Sequence, residues 1–130
     1  MKNKITKLIG ILTITFVLLI PIAAQAAGTK SFTFDMVHTL GIGTFTSTKD
    51  SVKGTVNMSS WGGDTYFTIH IYEKSGGSNI LVDRLGFTKS SAGSPYTDTS
   101  YSVKKGNKYG YEIWKNQNKK RIKGSGSLSY

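Results

Sequence analysis

Two histidines, His38 and His70, are the first residues to consider for catalysis, because histidine is the usual general base near neutral pH. A catalytic histidine needs a nucleophile and an orienting carboxylate beside it, and the sequence has neither a G-x-S-x-G nor an H-E-x-x-H motif. His70 lies on the polar side of an alternating segment, between Thr68 and Tyr72. We interpret it as an exposed or lightly packed strand residue, and the sequence assigns no role to His38.

Other kinds of catalytic or metal site lack the groups that they require. The chain has no cysteine, which excludes thiol nucleophiles, thiolate zinc sites and disulfides. It has no Asp-x-Asp-x-Asp-Gly calcium loop and no histidine cluster. Glu73 and Glu112 could form the carboxylate pair of a glycoside hydrolase, but a sequence does not give their separation. We predict no enzymatic activity, no cofactor and no metal.

Positive charge is distributed unevenly along the chain. Its 130 residues include 17 lysines and arginines against 7 acidic residues, a formal net charge of +10. Residues 104–130 hold eight of the basic residues and one acid, whereas the two kinds cancel in residues 27–103. We predict that the excess lies on a C-terminal hairpin and the turn before it. The candidate polyanion-binding residues are Lys104, Lys105, Lys108, Lys115, Lys119, Lys120, Arg121 and Lys123.

Two interpretations of this basic segment are equally supported by the sequence. Lysines on an exposed edge strand keep sheets from pairing edge to edge. Alternatively, such a concentration of charge attracts an anionic polymer or lipid. In a strand, Lys119, Arg121 and Lys123 would share one face. A role in nuclear targeting or RNA binding is argued against by the export signal described below.

Trp61 is a candidate ligand-stacking aromatic residue. The sequence SSWGGD at residues 59–64 places its indole among small residues between two predicted strands. Such a ring could stack on a sugar or enter a membrane interface. Because tryptophan is highly buried on average, we favour the alternative that Trp61 is a lid over the open end of a β-sandwich.

The composition of residues 27–130 is that of a β-protein. Threonine, valine, isoleucine and aromatic residues number 37, against 11 for alanine, leucine, methionine, glutamate and glutamine. Polar and apolar residues alternate in seven segments, and Gly76-Gly77 predicts a tight hairpin turn. We predict a single antiparallel β-sandwich of about seven strands, immunoglobulin-like or jelly-roll-like, with a small β-barrel as the alternative. The Gly-Ser stretch at residues 124–127 is either a frayed tail or a weak closing strand.

The sequence VKKGNKYGYEI at residues 103–113 resembles a segment of immunoglobulin-like and fibronectin type III-like sandwiches. In those folds an apolar residue precedes a turn, and a corner tyrosine then opens a strand. The resemblance implies that Tyr109 is the corner tyrosine, with its hydroxyl reaching back to upstream backbone. It implies no function, because the sandwich hosts many unrelated activities.

Residues 1–26 have the features of a secretory signal peptide. Lys2, Lys4 and Lys7 precede an apolar run, and Ala24-Gln25-Ala26 fits cleavage after Ala26. The run is shorter than the roughly 20 apolar residues that a membrane span needs. We predict a secreted, monomeric bacterial protein whose residues 27–130 form one basic, cysteine-free β-sandwich domain with no membrane span.

Together these features predict a secreted binding or interaction module at the cell exterior that acts through the basic C-terminal hairpin. The expected partner is an anionic cell-wall polymer, a polysaccharide or another extracellular protein. The alternative is a secreted antagonist, which could be bacteriocin-like, membrane-active or an inhibitor of another secreted protein. The sequence does not distinguish these two functions.

Overall fold

The computed structural model describes residues 28–130, which form eight β-strands and no helix. The predicted signal peptide lies outside the described residues. Within them, no helix exists that could cross a membrane. The strands are β1 (Thr29–Met36), β2 (Thr39–Thr46), β3 (Val52–Ser60), β4 (Tyr66–Ser75), β5 (Ser78–Thr88), β6 (Tyr96–Ser100), β7 (Lys108–Trp114) and β8 (Ile122–Ser129).

The strands form two antiparallel sheets that pack face to face. The first sheet has the order β1-β8-β3-β6, and the second has the order β2-β7-β4-β5. Apolar side chains of both sheets form one buried core between them. The predicted all-β sandwich is therefore confirmed, and the alternative of a closed barrel is wrong because the two sheets are separate.

β2 is an additional strand that the alternation in the sequence does not predict. Gly41 and Gly43 interrupt its alternation of apolar and polar residues, and Phe45 is its one fully buried residue. The strand lies at the edge of the second sheet and pairs only with β7, with a bulge between the two glycines. An edge strand with so little buried surface leaves a weak periodic signal.

β7 and β8 do not form the predicted C-terminal hairpin. β7 pairs with β2 and β4 in the second sheet, whereas β8 pairs with β1 and β3 in the first. Residues 115–121 therefore cross from one sheet to the other. Because β8 begins at Ile122, Lys119 and Arg121 lie in this crossing loop and do not share a strand face with Lys123.

The Gly-Ser stretch at residues 124–127 belongs to β8, a central strand of the first sheet, and is not a tail. A Cβ atom on Gly126 would lie 2.7 Å from Cζ of Phe32, and one on Gly124 would lie 2.7 Å from Cζ of Phe34. Only glycine lets these two rings of β1 approach the β8 backbone so closely. The two glycines thus serve the core.

The sequence of β5 does not show which of its residues face the core, because a bulge interrupts the alternation of inward and outward side chains. The register between β4 and β5 shifts at Val82, which has no partner opposite it. Leu85 and Phe87 point into the core on one side of the bulge, whereas Ile80 and Leu81 are exposed on the other. The segment is therefore not buried on both faces.

The connections between strands define two ends of the sandwich. The loops at residues 37–38, 61–65, 89–95 and 115–121 lie at one end, which we call the Trp61 end. The loops at residues 47–51, 76–77 and 101–107 lie at the other, together with Gly28 and Tyr130, and we call it the Tyr130 end. The predicted turn at Gly76-Gly77 is confirmed, with φ of 57° and 81°, values that favour glycine.

Candidate functional site

The eight basic residues predicted on one hairpin lie at opposite ends of the sandwich. Lys104, Lys105 and Lys108 are at the Tyr130 end, on loop 101–107 and at the start of β7. The other five follow β7 and are at the Trp61 end. β7 has 7 residues. At about 3.3 Å per residue, it separates the two groups by roughly 20 Å. Charge that is concentrated in the sequence is therefore divided in space.

Lysines from earlier strands and loops join the Tyr130 end. Lys53 is in register with Ser129 of β8, and Lys49 Nζ donates a hydrogen bond to the Ser129 hydroxyl at 3.2 Å. Lys30 reaches from β1 across to β2, where its ammonium donates to the backbone oxygen of Thr44. The lysines at this end are Lys30, Lys49, Lys53, Lys74, Lys104, Lys105 and Lys108.

The carboxylates at the Tyr130 end bind neutral donors and not these lysine ammonium groups. Asp50 Oδ1 accepts a hydrogen bond from the backbone N–H of Lys105 at 2.8 Å. Glu73 Oε1 accepts one from Asn107 Nδ2, also at 2.8 Å. Both contacts hold loop 101–107. Every ion pair formed within residues 28–130 lies at the Trp61 end, so none neutralises a lysine at the Tyr130 end.

Tyr109 attaches the same loop to the core. Its side chain is buried, and its hydroxyl accepts a hydrogen bond from the backbone N–H of Lys104 at 2.7 Å. Val103, the residue before Lys104, is also buried. This geometry confirms the predicted corner tyrosine. Lys104 and Lys105 therefore project from a loop that is fixed on both sides.

A cleft of about 430 Å³ opens beside these lysines, between β1 and β2. Lys30, Lys108, Thr44 and Thr46 contribute to its lining. Ammonium groups are donors only, and threonine hydroxyls can also donate, so this wall suits anionic oxygen atoms.

Lys115, at the Trp61 end, is buried and does not belong to an exposed basic surface. Its side chain is 0% exposed, and Nζ lies 2.9 Å from Oδ2 of Asp64. The ammonium also donates hydrogen bonds to the backbone oxygens of Val37 (3.0 Å) and Asn116 (2.8 Å) and to Oδ1 of Asn118 (2.7 Å). Its predicted role in polyanion binding is therefore wrong, because the charge is satisfied inside the protein.

Asp64 balances the buried charge of Lys115. Burial alone would raise the pKa of its carboxyl, but hydrogen bonds from Lys115 and Asn118 and the positive charge of Lys115 hold that pKa below its usual value. Asn118 Nδ2 donates to Asp64 Oδ1 at 2.6 Å. The carboxylate is thus ionised, and the pair carries no net charge.

Arg121 and Lys123 share one carboxylate on the surface of the Trp61 end. Arg121 Nη1 donates to Oδ1 of Asp35 at 2.6 Å, and Lys123 Nζ lies 3.6 Å from Oδ2. The hydrogen bond from Arg121, together with both positive charges, lowers the pKa of Asp35. Lys119 occupies a left-handed turn position (φ 63°), and Lys120 Nζ donates to the backbone oxygen of Gly63 at 3.3 Å.

Trp61 lies over the core, where the lid interpretation places it. The residue is buried, and its ring centroid is 5.7 Å from that of Phe67 and 5.3 Å from that of Tyr96, which it meets edge-on. A Cβ atom on Gly62 would lie 1.9 Å from the backbone oxygen of Arg121, so loop 61–65 packs tightly against loop 115–121. The role of Trp61 in ligand stacking stays a prediction.

Both histidines contact Trp114 of β7. The His70 ring stacks on it at 4.9 Å with an interplanar angle of 7°, and the His38 ring meets its edge at 5.3 Å. His38 Nδ1 also donates to the backbone oxygen of Lys115 at 2.9 Å. In residues 28–130, no group of three or more histidine, aspartate and glutamate side chains is arranged to hold a metal ion.

Residues 28–130 thus define a class, an all-β sandwich of two four-stranded sheets with an unpaired group of lysines at one end. Comparison with known protein families and with curated proteins finds no match to the sequence. Among solved structures, the chain is similar to Aeromonas hydrophila PliG, a periplasmic inhibitor of g-type lysozyme, with a TM-score of 0.46. The two chains are 12% identical, and the likeness covers 82% of this chain and 89% of that one. So weak a likeness transfers no site.

The charge count along the sequence does not reveal four lysines of the Tyr130 end, because their charge cancels formally against acids in residues 27–103. These are Lys30, Lys49, Lys53 and Lys74. The useful signal would have been the position of each lysine near a strand end. In an antiparallel sandwich, successive loops lie at alternating ends, so the number of strands decides which loops meet. If β2 is left out of the strand count, the direction of β1 relative to the later strands is reversed. Lys30, at the start of β1, is then placed at the wrong end of the sandwich.

Proposed function

We propose that the protein is an exported, non-catalytic binding protein that attaches to an anionic polymer at the cell exterior through the Tyr130 end. The observation that carries this proposal is the set of seven lysines at that end, none of which is ion-paired within residues 28–130. The basic C-terminal segment contributes only Lys104, Lys105 and Lys108 to this surface.

Direct contact with an anionic polymer favours the Tyr130 end over the Trp61 end. Its seven lysines lie outside the ion pairs of the described residues, whereas Lys89, Lys119 and Lys120 are the corresponding lysines at the Trp61 end. Grouped charges of one sign also raise the local concentration of an oppositely charged polymer. Each exposed lysine interacts through solvent and is screened over about 10 Å at 0.1 M salt. Binding should therefore be cumulative and should be released by salt.

A matched pair of triple variants tests the proposal. Lys104, Lys105 and Lys108 are changed to glutamine in one variant, and Lys89, Lys119 and Lys120 in the other, so each loses three charges. The lysines of the second variant lie at the Trp61 end and are also outside the ion pairs of the described chain. Retention is measured on immobilised polyglutamate and on isolated cell walls, with elution by a salt gradient.

We expect the first variant to elute at clearly lower salt than the wild type and the second to elute close to it. If the two variants elute together, total charge determines retention and the Tyr130 end has no special role. If neither differs from the wild type, the lysines serve only solubility.

A secreted antagonist is the second candidate, and one observation favours it. Tyr101 is 77% exposed on loop 101–107, three residues before Lys104. An exposed aromatic ring beside cations suits contact with an anionic lipid surface, where one end of the ring is buried and the other is wet. The purified protein would then kill related cells or release dye from anionic vesicles. A Tyr101→Ala variant would lose that activity while keeping its retention on polyglutamate.

A further inference from the structure

A second cleft lies on the outer face of the second sheet, over β4, β5 and β7, with a volume of about 270 Å³. Thr68 on β4 lies at its centre, in register with Gly86 on β5 and with Trp114 on β7. Gly86 has no side chain, so Tyr66 lies over it and borders a hollow beside Thr68. We call this hollow the Arg84 cleft, and its lining includes Tyr66, Thr68, His70, Arg84, Trp114 and Asn116.

Tyr66 forms one wall of the Arg84 cleft. A Cβ atom on Gly86 would lie 3.0 Å from the Tyr66 hydroxyl oxygen and 3.4 Å from Cε2, so the ring rests on the glycine backbone. The residue is nevertheless 53% exposed. An aromatic ring supported by backbone and open to solvent can stack on the apolar C–H face of a ring-shaped ligand.

Trp114 forms the opposite wall, and its orientation is fixed before any ligand arrives. His70 stacks on its ring, and its indole N–H donates to Oε2 of Glu112 at 2.8 Å. Burial and the charge of Arg84 lower the pKa of His70, which disfavours the charged imidazolium beside the Trp114 ring. A wall held in this way loses little conformational freedom when a ligand binds.

Arg84 gives the cleft its charge. Within the part of the chain that the structure describes, it forms no ion pair. The neighbouring Asp83 carboxylate instead accepts hydrogen bonds from the backbone N–H of Arg84 (2.8 Å) and from the Ser100 hydroxyl. Lys115 also lines the cleft, but Asp64 neutralises it. The charge of Arg84 contributes to the lowered pKa of Asp83, but no carboxylate of the described residues pairs directly with its guanidinium, which lines the cleft.

We propose that the Arg84 cleft binds a single sugar ring that carries a carboxylate, as in a uronic acid. A guanidinium matches a carboxylate with two parallel hydrogen bonds. The C–H face of the ring would lie on Tyr66, and Asn116 would bond its hydroxyl groups. Thr68 would accept a hydrogen bond from one of them, because its own hydroxyl donates to the backbone oxygen of Trp114 at 3.5 Å. The cleft is slightly smaller than the pockets of about 300 Å³ or more that hold drug-sized ligands, which suits one ring.

This inference is independent of the proposal for the Tyr130 end, since the two surfaces share no residue. The probe is a trimer of galacturonic acid, and its reference is the same trimer with each carboxyl reduced to an alcohol. Binding is measured by calorimetry and by the fluorescence of Trp114, for which the buried Trp61 provides a constant background.

The variants are Arg84→Gln and Tyr66→Ala. Lys119→Gln is the matched control, because it removes one charge at the Trp61 end without lining the cleft.

We expect the galacturonate trimer to bind more tightly than the reduced trimer. Arg84→Gln should weaken its binding about tenfold, the loss expected for a hydrogen-bonded charge pair. Tyr66→Ala should weaken both trimers, and Lys119→Gln should weaken neither. Circular dichroism checks that each variant is folded.

Four results would overturn the inference. The two trimers could bind equally, or Arg84→Gln could behave like Lys119→Gln. A glutamate tripeptide that competes as well as the sugar would show a carboxylate site without sugar recognition. If only the triple variant of Lys104, Lys105 and Lys108 loses the galacturonate trimer, the inference fails while the proposed function stands.

Discussion

The two ends of the sandwich carry lysines in different electrostatic states. At the Trp61 end, Asp64 neutralises Lys115 and Asp35 is shared by Arg121 and Lys123. At the Tyr130 end, Asp50 and Glu73 accept hydrogen bonds from neutral donors and leave the lysines unpaired. The densest basic run of the sequence is therefore at the end with fewer free charges. Charge available for binding is set by the partners of each group and not by the count along the chain.

The largest difference between the ends should appear when one carboxylate is removed from each. Asp64→Ala leaves the buried ammonium of Lys115 without its counter-ion, and breaking such a pair costs about 3–5 kcal/mol. Asp50→Ala, at the exposed Tyr130 end, removes one hydrogen bond and should cost about 1 kcal/mol. Urea unfolding of both variants measures the two changes. Equal losses would contradict the assignment of Lys115 to a buried pair.

Tyr109→Phe probes how the Tyr130 end is held. The substitution keeps the buried ring and removes the hydroxyl that accepts the N–H of Lys104. We expect a loss of about 1 kcal/mol in the free energy of unfolding. We also expect faster hydrogen exchange in loop 101–107 and a smaller increase in exchange elsewhere. An equal increase in the rate of hydrogen exchange throughout the protein would show that Tyr109 does not anchor this loop.

Acid should lower the free energy of unfolding by protonating Asp64 at the Trp61 end. The pKa of Asp64 is lower in the folded protein than in the unfolded chain, so its contribution to stability is complete above the unfolded pKa of about 3.9. It is lost as the pH falls through the folded pKa. Urea unfolding between pH 6 and acidic pH should give a shallower decline for Asp64→Asn than for the wild type. Parallel declines would show that Asp64 is not linked to folding in this way.

Asp35→Asn should have the smallest effect on folding, because its ion pairs lie in solvent, where such contacts contribute little. The substitution frees Arg121 and Lys123, so the Trp61 end should gain retention on polyglutamate while the urea midpoint stays unchanged. Unchanged retention would mean that pairing with Asp35 does not limit the availability of these two cations.

Local signals in the sequence were sufficient for the features that depend on neighbouring residues. The Gly76-Gly77 turn and the Tyr109 corner each involve a few consecutive positions, and both are present in the structure. The alternation of apolar residues was enough for the all-β class, except in β2, where glycines break the pattern.

Features that depend on distant residues could not be predicted. The burial of Lys115 depends on Asp64, which precedes it by 51 residues and four strands, β4 to β7. The assignment of β7 and β8 to different sheets depends on strand pairings that no local pattern encodes. The Arg84 cleft likewise arises from side chains of three strands around Gly86.

We propose that the Tyr130 end, and not the basic C-terminal segment as a whole, contacts an anionic polymer. Lysine acylation followed by mass spectrometry, with and without polyglutamate, tests this proposal. The extent of acylation is measured separately at every lysine. We expect the polymer to protect Lys49, Lys104, Lys105 and Lys108 while Lys89, Lys119 and Lys120 react as before. Protection confined to Lys119, Lys120 and Lys123 would contradict it.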